Sequence, residues 1–204
     1  MRGKRSVNTL ERTKSMVYVA LFAALTAVLS QISIPMPAGI PLTLQTFAIA
    51  FAGFYLGFGK GLQCVFVYVL LGVCGVPVFA SFTGGAAKLV GATGGFIWGF
   101  FALAAMTGAA SETSGRMRGA ACVAVGIVAL HALGTAQFAA VTGTSLSAAA
   151  LAVSVPFVAK DLLSVLLASA LAHTVKSRLS EGCGVRVRAE LSARGLAKSL
   201  KNNP

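Results

Sequence analysis

The chain is almost continuously apolar or small between Lys14 and Lys176, yet one of its apolar regions contains the adjacent charges Lys160 and Asp161. A charged side chain at the centre of a membrane costs about 2.5 to 3.5 kcal/mol on insertion scales, so such residues face a bundle interior or a cavity and mark a substrate path. We therefore interpret the chain as a membrane protein that binds a polar ligand.

The composition excludes a soluble globular domain. Of the 204 residues, 56% are hydrophobic and only 11% are charged, with a mean hydropathy of +0.83. In lipid every backbone amide must be paired within the protein, and a chain rich in Ala, Leu, Val and Gly achieves this with helices. The alternating pattern of a membrane β-barrel is missing from the sequence. We predict a single all-α, polytopic membrane domain.

The net charge of +12 is concentrated at the two ends of the chain. We assign residues 1–15 and 176–204 to basic cytoplasmic segments that flank a membrane domain over 16–175. A basic tail also suits a nucleic-acid surface, but no aromatic residues interleave its charges, so contact with lipid is favoured and no nucleic-acid partner is expected. The charges concerned are Arg2, Lys4, Arg5, Arg12, Lys14, Lys176, Arg178, Arg186, Arg188, Arg194, Lys198 and Lys201.

Six apolar regions are long enough to be membrane spans. An even number places both termini on the same side, and the basic ends make that side cytoplasmic. Alternation then puts Lys60, Arg116 and Arg118 in inner connections, as the charge rule requires. The chain is thus expected in the cell membrane as a multi-pass protein. The regions lie near 16–34, 42–58, 61–79, 94–110, 119–141 and 149–174.

The outer connections, 35–41, 80–93 and 142–148, bring polar residues from separated parts of the chain to one end of the bundle. Prolines at 35 and 41 disfavour helix just before them, so we expect the chain to re-enter the bundle in extended form. A few placed polar groups among apolar walls are typical of a ligand site. The residues are Thr43, Gln45, Lys88, Thr93, Lys160 and Asp161.

Each of these residues also has a purely structural interpretation. Thr43 is placed to cap the second span. Lys88 can extend to the outer headgroups. Lys160 and Asp161 can form a neutralised pair at the interface, and neighbouring helical residues point about 100° apart, so both do not fit one narrow stripe. Gln45 is harder to explain structurally, because its amide needs partners in lipid and offers both a donor and an acceptor.

Small residues form two further patterns. Gly91, Gly95 and Gly99 recur every four residues, which favours close helix packing over ligand contact. Alanines at similar spacing flatten one face of the first span, for packing or for docking another membrane protein: Ala20, Ala23, Ala24 and Ala27. Within the fifth span, His131 and Gln137 are interpreted as bonding neighbouring helices.

The motifs of an enzyme are missing from the sequence. Residues 53–61 are rich in glycine and end near Lys60, but the spacing is wrong for a phosphate loop and Gly61 stands where a magnesium-binding hydroxyl is needed. The cysteines have neither metal-site nor CxxC spacing, and a lone histidine supports no metal. We expect no enzymatic activity, no cofactor and no metal.

Four segments stand out in order along the chain: 41–47 (PLTLQTF), 71–79 (LGVCGVPVF), 91–100 (GATGGFIWGF) and 156–161 (PFVAKD). Together they resemble motifs of the BioY family, the biotin-binding S-components of energy-coupling factor transporters. Residues 41–47 (PLTLQTF) resemble its PxTxQ segment, and 71–79 (LGVCGVPVF) its LGxxGxPxF segment. Residues 91–100 (GATGGFIWGF) are similar to its GPTGGYLxGF segment, and 156–161 (PFVAKD) to its PFxxxD motif. The resemblance covers about residues 16–175.

The resemblance implies a six-helix S-component that captures biotin outside the cell and takes part in its uptake. Its implied partners are a transmembrane coupling protein and cytosolic ATPases, with the alanine face of the first span as the docking surface. The nearest alternatives are an S-component for another vitamin and a stand-alone secondary carrier. The implied biotin-binding residues are Thr43, Gln45, Phe79, Lys88, Thr93, Gly94, Gly95, Phe96, Lys160 and Asp161.

The chain departs from the family pattern at three positions. Ala92 replaces a common proline, Phe96 a tyrosine, and Ser164 a lysine three residues after Asp161. Lys160 lies four residues before Ser164 and shares its helix face, so we hypothesise that the cation has moved there. A lysine, either Lys88 or Lys160, is then expected to meet the biotin carboxylate or ureido oxygen, and Asp161 the ureido nitrogens.

Overall fold

A computed structural model describes the backbone of residues 2–36 and 39–201 and the side chains of 9–36 and 39–179. The side chains of the predicted basic segments therefore lie largely outside the described residues. The fold is helical, with one two-stranded hairpin. In chain order the elements are α1 (Arg2–Ser30), β1 (Ser33–Ile34), β2 (Leu42–Thr43), α2 (Gln45–Leu56), α3 (Phe58–Val73), a 3-10 turn (Ala80–Phe82), α4 (Ala87–Val90), α5 (Gly94–Glu112), α6 (Arg116–Thr142), α7 (Leu146–Val153) and α8 (Val155–Lys201).

Within the described part of the chain, four helical segments are long and apolar enough to cross a membrane: Thr9–Ser30, Gly94–Glu112, Arg116–Thr142 and Val155–Leu179. Their outward faces carry large apolar side chains such as Val28, Val128 and Leu166, each more than 60% exposed. In water such apolar surface would make the protein molecules associate, whereas in a membrane it contacts the apolar lipid chains. The predicted helical class is confirmed, and these four segments are candidate membrane spans.

The central helix is α2, which is buried on nearly every side between α1, α3, α5 and α8. It has 12 residues and is therefore about 18 Å long, less than the roughly 30 Å hydrocarbon thickness. The 16-residue α3 is also short. The regions predicted at 42–58 and 61–79 thus form short apolar helices.

Two predicted boundaries are wrong. The third region was expected to continue to residue 79, but α3 ends at Val73, because Gly75 has a left-handed φ of +94° and Pro77 follows. The region predicted at 149–174 is divided at Ser154 into α7 and α8. Pro156 lies in the first turn of α8, where its missing N–H costs no helical hydrogen bond.

The chain re-enters the bundle through an antiparallel hairpin, in which Ser33 pairs with Thr43 and Ile34 with Leu42. The extended conformation predicted from Pro35 and Pro41 is therefore observed. The hairpin satisfies backbone groups that would otherwise be unpaired near lipid. It also delivers Thr43 directly to the start of α2.

The bundle has two distinct ends. At the first, the Glu112 carboxylate accepts a 2.9 Å hydrogen bond from the Phe58 N–H, and the Lys176 ammonium donates to the Phe54 carbonyl at 2.7 Å. We call it the charged end. At the other, the loop end, Gln31 accepts from the Phe82 N–H at 2.8 Å. The connections 31–36, 39–44, 74–93 and 143–145 lie at the loop end.

Glycines allow the helix pair of α5 and α6 to pack closely. A Cβ added at Gly99 would lie 2.8 Å from the Leu130 Cα, and Gly95 faces the Leu133 carbonyl just as tightly. Between α2, α3 and α5, Gly53 and Gly61 approach each other in the same way. Helix packing, the interpretation favoured for the glycine strip, is what the structure shows for Gly95 and Gly99.

The alanine face of α1 is only partly available. Ala23 is 1% exposed and belongs to the core, and Ala27 is half-buried against it. Ala20 and Ala24 remain exposed. The expectation that all four alanines form a docking surface is wrong for Ala23, because this side of α1 packs on α2 and α3.

Replacing Gly99 with Ala should destabilise the protein by about 1 to 3 kcal/mol, because the added methyl group meets the backbone of α6. Gly59→Ala is the matched control: nothing lies within 4 Å of a Cβ at that helical position, so stability should stay equal or rise by up to about 1 kcal/mol. Thermal unfolding in detergent micelles measures both. Equal stabilities for the two variants would contradict the packing account.

Candidate functional site

A cavity of about 290 Å³ lies at the loop end of the bundle. All six polar residues that the sequence assigned to this end line it, although they come from four separated segments. The full lining is Gly39, Ile40, Pro41, Thr43, Gln45, Thr46, Phe79, Ala80, Ser81, Thr83, Lys88, Thr93, Phe96, Ile97, Phe100, Phe157, Lys160 and Asp161. Such a volume, with apolar walls and few polar groups, suits a small ligand.

The cavity has an exposed rim and a buried floor. Gly39 and Ser81 are exposed, whereas Phe79 and Asp161 are each 3% exposed and Gln45 is 7% exposed. A ligand at this depth would exchange water for apolar walls and for a few fixed polar groups. Binding is therefore expected to depend on how those polar groups are already paired.

Asp161 carries the only buried negative charge among the described side chains, and Lys160 neutralises it. The Lys160 ammonium contacts Asp161 Oδ1 and donates to the Thr43 carbonyl at 3.0 Å and to Thr46 Oγ1 at 3.4 Å. The ammonium thus makes one ion pair and two hydrogen bonds with the protein. Both charges line the cavity despite their angular separation, because the long lysine side chain reaches its neighbour.

His131 contacts Asp161 from α6. Its Nε2 lies 3.3 Å from Asp161 Oδ2, and its Nδ1 lies 3.3 Å from the Ser154 hydroxyl. Ser154 in turn pairs with Thr135 at 2.6 Å. The prediction that His131 bonds a neighbouring helix is confirmed. Gln137 does the same, since its side-chain N–H group donates to the carbonyls of residues 89 and 91.

Thr43 and Gln45 form one hydrogen-bonded unit at the start of α2. The Thr43 hydroxyl donates to Gln45 Oε1 at 2.9 Å and accepts from the Gln45 backbone N–H at 3.4 Å. Gln45 Nε2 donates to the Tyr68 hydroxyl at 2.6 Å. The capping and cavity interpretations of Thr43 are thus compatible, because one hydroxyl serves both.

Lys88 lines the cavity from α4, and its ammonium makes no ion pair or hydrogen bond with any residue that the structure describes. Its ammonium is therefore available to an anionic group in the cavity. Thr93 lies beside it, immediately before α5, and its side chain makes no capping hydrogen bond. Among the described side chains no three His, Cys, Asp or Glu residues cluster to hold a metal.

Phe79 and Phe96 line the cavity, but two other predicted contacts do not. Gly94 and Gly95 lie against the Leu89 carbonyl and the α6 backbone, where any side chain would collide. The expectation that they contact ligand is thus not supported by their position. Ser164, which stands at the family's lysine position, is buried and is not part of the lining.

The sequence reasoning missed several lining residues. Two of them were detectable from helical spacing, since Phe100 follows Phe96 by four residues and Phe157 precedes Asp161 by four. Ser81 was not detectable, because it enters the cavity through a strained turn with φ +57°. Strained backbone of this kind concentrates at ligand sites.

Comparisons with known proteins agree on one family. The family model described as the BioY family matches residues 3–181. The probable biotin transporter BioY of Pyrococcus horikoshii is 46% identical over 44% of this chain and 54% of its own length. The biotin transporter BioY of Thermotoga maritima is 42% identical over 48% of this chain and 58% of its own length. The chain thus spans about half the length of these two relatives.

Two further matches are more complete. The biotin transporter BioY of Rhodobacter capsulatus is 32% identical over 79% of this chain and 93% of its own length. A solved structure, the S-component for biotin from an ECF-type ABC transporter, is similar with a TM-score of 0.73 at 21% identity, covering 82% of this chain and 93% of that one. The predicted S-component-like fold is confirmed.

Lys160→Met should destabilise the protein by about 3 to 5 kcal/mol, because it leaves Asp161 charged and buried. Replacing both partners, as Lys160→Met with Asp161→Leu, should restore much of that loss. Thermal unfolding in detergent measures both variants, with Lys60→Met as an exposed control. If the double variant were less stable than Lys160→Met, the ion pair would not be the source of the effect.

Proposed function

The chain belongs to the BioY family, and from that premise we propose that it captures biotin in the loop-end cavity and serves its uptake. In this proposal it is the substrate-binding membrane subunit of an energy-coupling factor type transporter, and it catalyses no reaction itself. The observation that carries the proposal is the convergence of six polar residues from four segments on one largely apolar cavity. The family membership identifies biotin among the ligands such a cavity could hold.

The ureido group of biotin is proposed to lie at the buried floor. It has two N–H donors and one carbonyl acceptor, and the floor offers acceptors on Asp161, Thr43 and Gln45. Because Lys160 holds Asp161 in its charged form, the carboxylate remains a strong acceptor. Asp161 is therefore assigned to the ureido nitrogens, with Gln45 and Thr43 assisting.

The carboxylate of biotin is assigned to Lys88. The alternative, Lys160, already makes two hydrogen bonds and one ion pair with protein groups. Lys88 lines the same cavity without a protein partner. In this proposal Lys160 takes the place of the family lysine, because it pairs with Asp161 and donates to the Thr43 carbonyl. Lys88 neutralises the negative charge of the biotin carboxylate.

The thiophane ring and the valeryl chain suit the aromatic walls provided by Phe79, Phe96, Phe100 and Phe157. Burying about 250 Å² of apolar ligand surface contributes about 6 kcal/mol at 25 cal/mol per Å², before the cost of ordering the ligand. The walls are thus expected to contribute as much to binding as the charged groups. Thr93 lies beside them on the same cavity.

The cavity is proposed to open outside the cell, with six crossings and both termini in the cytoplasm. The charged end carries Lys14, Lys60, Arg116, Arg118 and Lys176, whereas the loop end has Lys88 and the Lys160–Asp161 pair among the described side chains. Basic residues favour the cytoplasmic side. The short α2 and α3 would complete the six crossings together with the hairpin and the segment 74–93. The membrane is then the plasma membrane.

The partners are proposed to be a transmembrane coupling protein and cytosolic ATPases, as the family membership implies. Ala20 and Ala24, which remain exposed on α1, form a small-residue strip that lets another helix approach closely. The half-buried Ala27 extends this strip by its exposed part. Ala23 is excluded from this surface by its burial.

The purified protein should bind biotin and neither thiamine nor riboflavin. The cavity has one carboxylate, on Asp161, for the ureido nitrogens of biotin, and one ammonium without a protein partner, on Lys88, for its carboxylate. Equilibrium dialysis with each labelled vitamin in detergent measures this directly. Capture of thiamine or riboflavin without biotin would overturn the assignment of the ligand.

Lys88→Met should weaken biotin binding by about 1.5 to 3 kcal/mol, roughly ten- to 150-fold, because it removes a charged hydrogen bond to the carboxylate. The wild-type protein should also prefer biotin to its methyl ester, and Lys88→Met should lose that preference. Lys60→Met, which alters an exposed lysine at the other end, should leave both affinities unchanged. A preference for free biotin that survives in Lys88→Met would contradict the assignment.

A further inference from the structure

Tyr68 lies behind the cavity wall on α3 and is completely buried. It is not part of the cavity lining. Its hydroxyl nevertheless lies 2.6 Å from Gln45 Nε2, on the floor of the cavity, and 3.0 Å from the Val78 carbonyl oxygen. Its ring also packs edge-on against Phe79, with ring centres 5.6 Å apart. Tyr68 thus contacts two cavity residues from the side away from the ligand.

The donor and acceptor roles in this group follow from elementary chemistry. The Val78 carbonyl can only accept, so the single hydroxyl proton of Tyr68 is directed to it. The Tyr68 oxygen must then accept from Gln45, which places the NH₂ group of the Gln45 amide on the Tyr68 side. The Gln45 carbonyl oxygen consequently points to the Thr43 hydroxyl, which donates to it at 2.9 Å.

The reversed orientation of the Gln45 amide makes one hydrogen bond fewer, because the Val78 carbonyl would keep only the Ser30 hydroxyl as a donor. The Gln45 carbonyl oxygen would then face Tyr68, whose one proton would have to serve both that oxygen and the Val78 carbonyl. The loss of a buried hydrogen bond costs stability, so the hydroxyl of Tyr68 favours one of the two amide orientations. Phenylalanine at position 68 would remove this selection while keeping the ring.

We infer that Tyr68 is a positioning residue for ligand binding: it fixes the Gln45 amide so that one N–H and one oxygen lone pair are presented to the cavity in a defined order. The inference rests on the proposed capture of biotin. It makes biotin binding depend on the Tyr68 hydroxyl, although Tyr68 is not part of the cavity lining and does not touch the ligand.

Biotin affinity of the full-length protein in detergent tests the inference through a double-mutant cycle. Tyr68→Phe should bind biotin about tenfold more weakly than wild type, because one hydrogen bond of ordinary strength is lost from the ordered site. In a Gln45→Leu background there is no amide to orient, so Tyr68→Phe should change the affinity less than twofold. Tyr55→Phe removes the same hydroxyl group from a residue outside the cavity and should bind like wild type.

The outcomes separate the inference from the proposed function. Failure of the wild-type protein to bind biotin overturns both. Wild-type binding with an undiminished affinity in Tyr68→Phe, or with equal losses in both backgrounds, overturns the inference alone, because a residue that merely supports the fold weakens both backgrounds alike. Melting temperatures of all five proteins, which should lie close together, identify any variant whose loss of affinity reflects unfolding.

Discussion

The site depends on one buried carboxylate that is held in its charged form. Asp161 lies 3% exposed at the floor of the cavity, where Lys160 neutralises it and His131 contacts its other oxygen. Without these partners a charge in this position would be too costly to retain. The same lysine binds the Thr43 carbonyl. The ion pair therefore ties α8 to the start of α2 and sets the polar pattern of the floor.

Pairing of polar groups organises the rest of the loop end. Backbone groups between the helices are satisfied by the hairpin and by side chains such as Gln31 and Gln137, which use the carbonyls and N–H groups of the loops. Irregular backbone at this depth is tolerated only where the protein covers it or a cavity adjoins it. The Lys88 ammonium differs from these groups, since it has no hydrogen-bond or ion-pair partner among the described residues. An anionic ligand in the cavity would provide that partner.

The sequence predicted the helical class and the convergence of its six outer polar residues, because charges and amides in an apolar chain have few places to lie. It also predicted the extended entry before Thr43, which follows from the prolines. It failed where tertiary contacts decide: Gly94 and Gly95 pack on α6, Ala23 faces the core, and Ser81 reaches the cavity through a strained turn. The sequence of a helix does not by itself determine which of its faces packs against the neighbouring helices.

Opening of this cavity to the outside of the cell, together with its capture of biotin, is what the proposed function requires. Ser81→Cys, on the exposed rim, tests it in a chain whose four native cysteines are replaced by alanine. A membrane-impermeant maleimide should label this cysteine in right-side-out vesicles, and biotin should slow the labelling. Labelling confined to inside-out vesicles, or labelling at a rate that biotin does not change, would contradict the account.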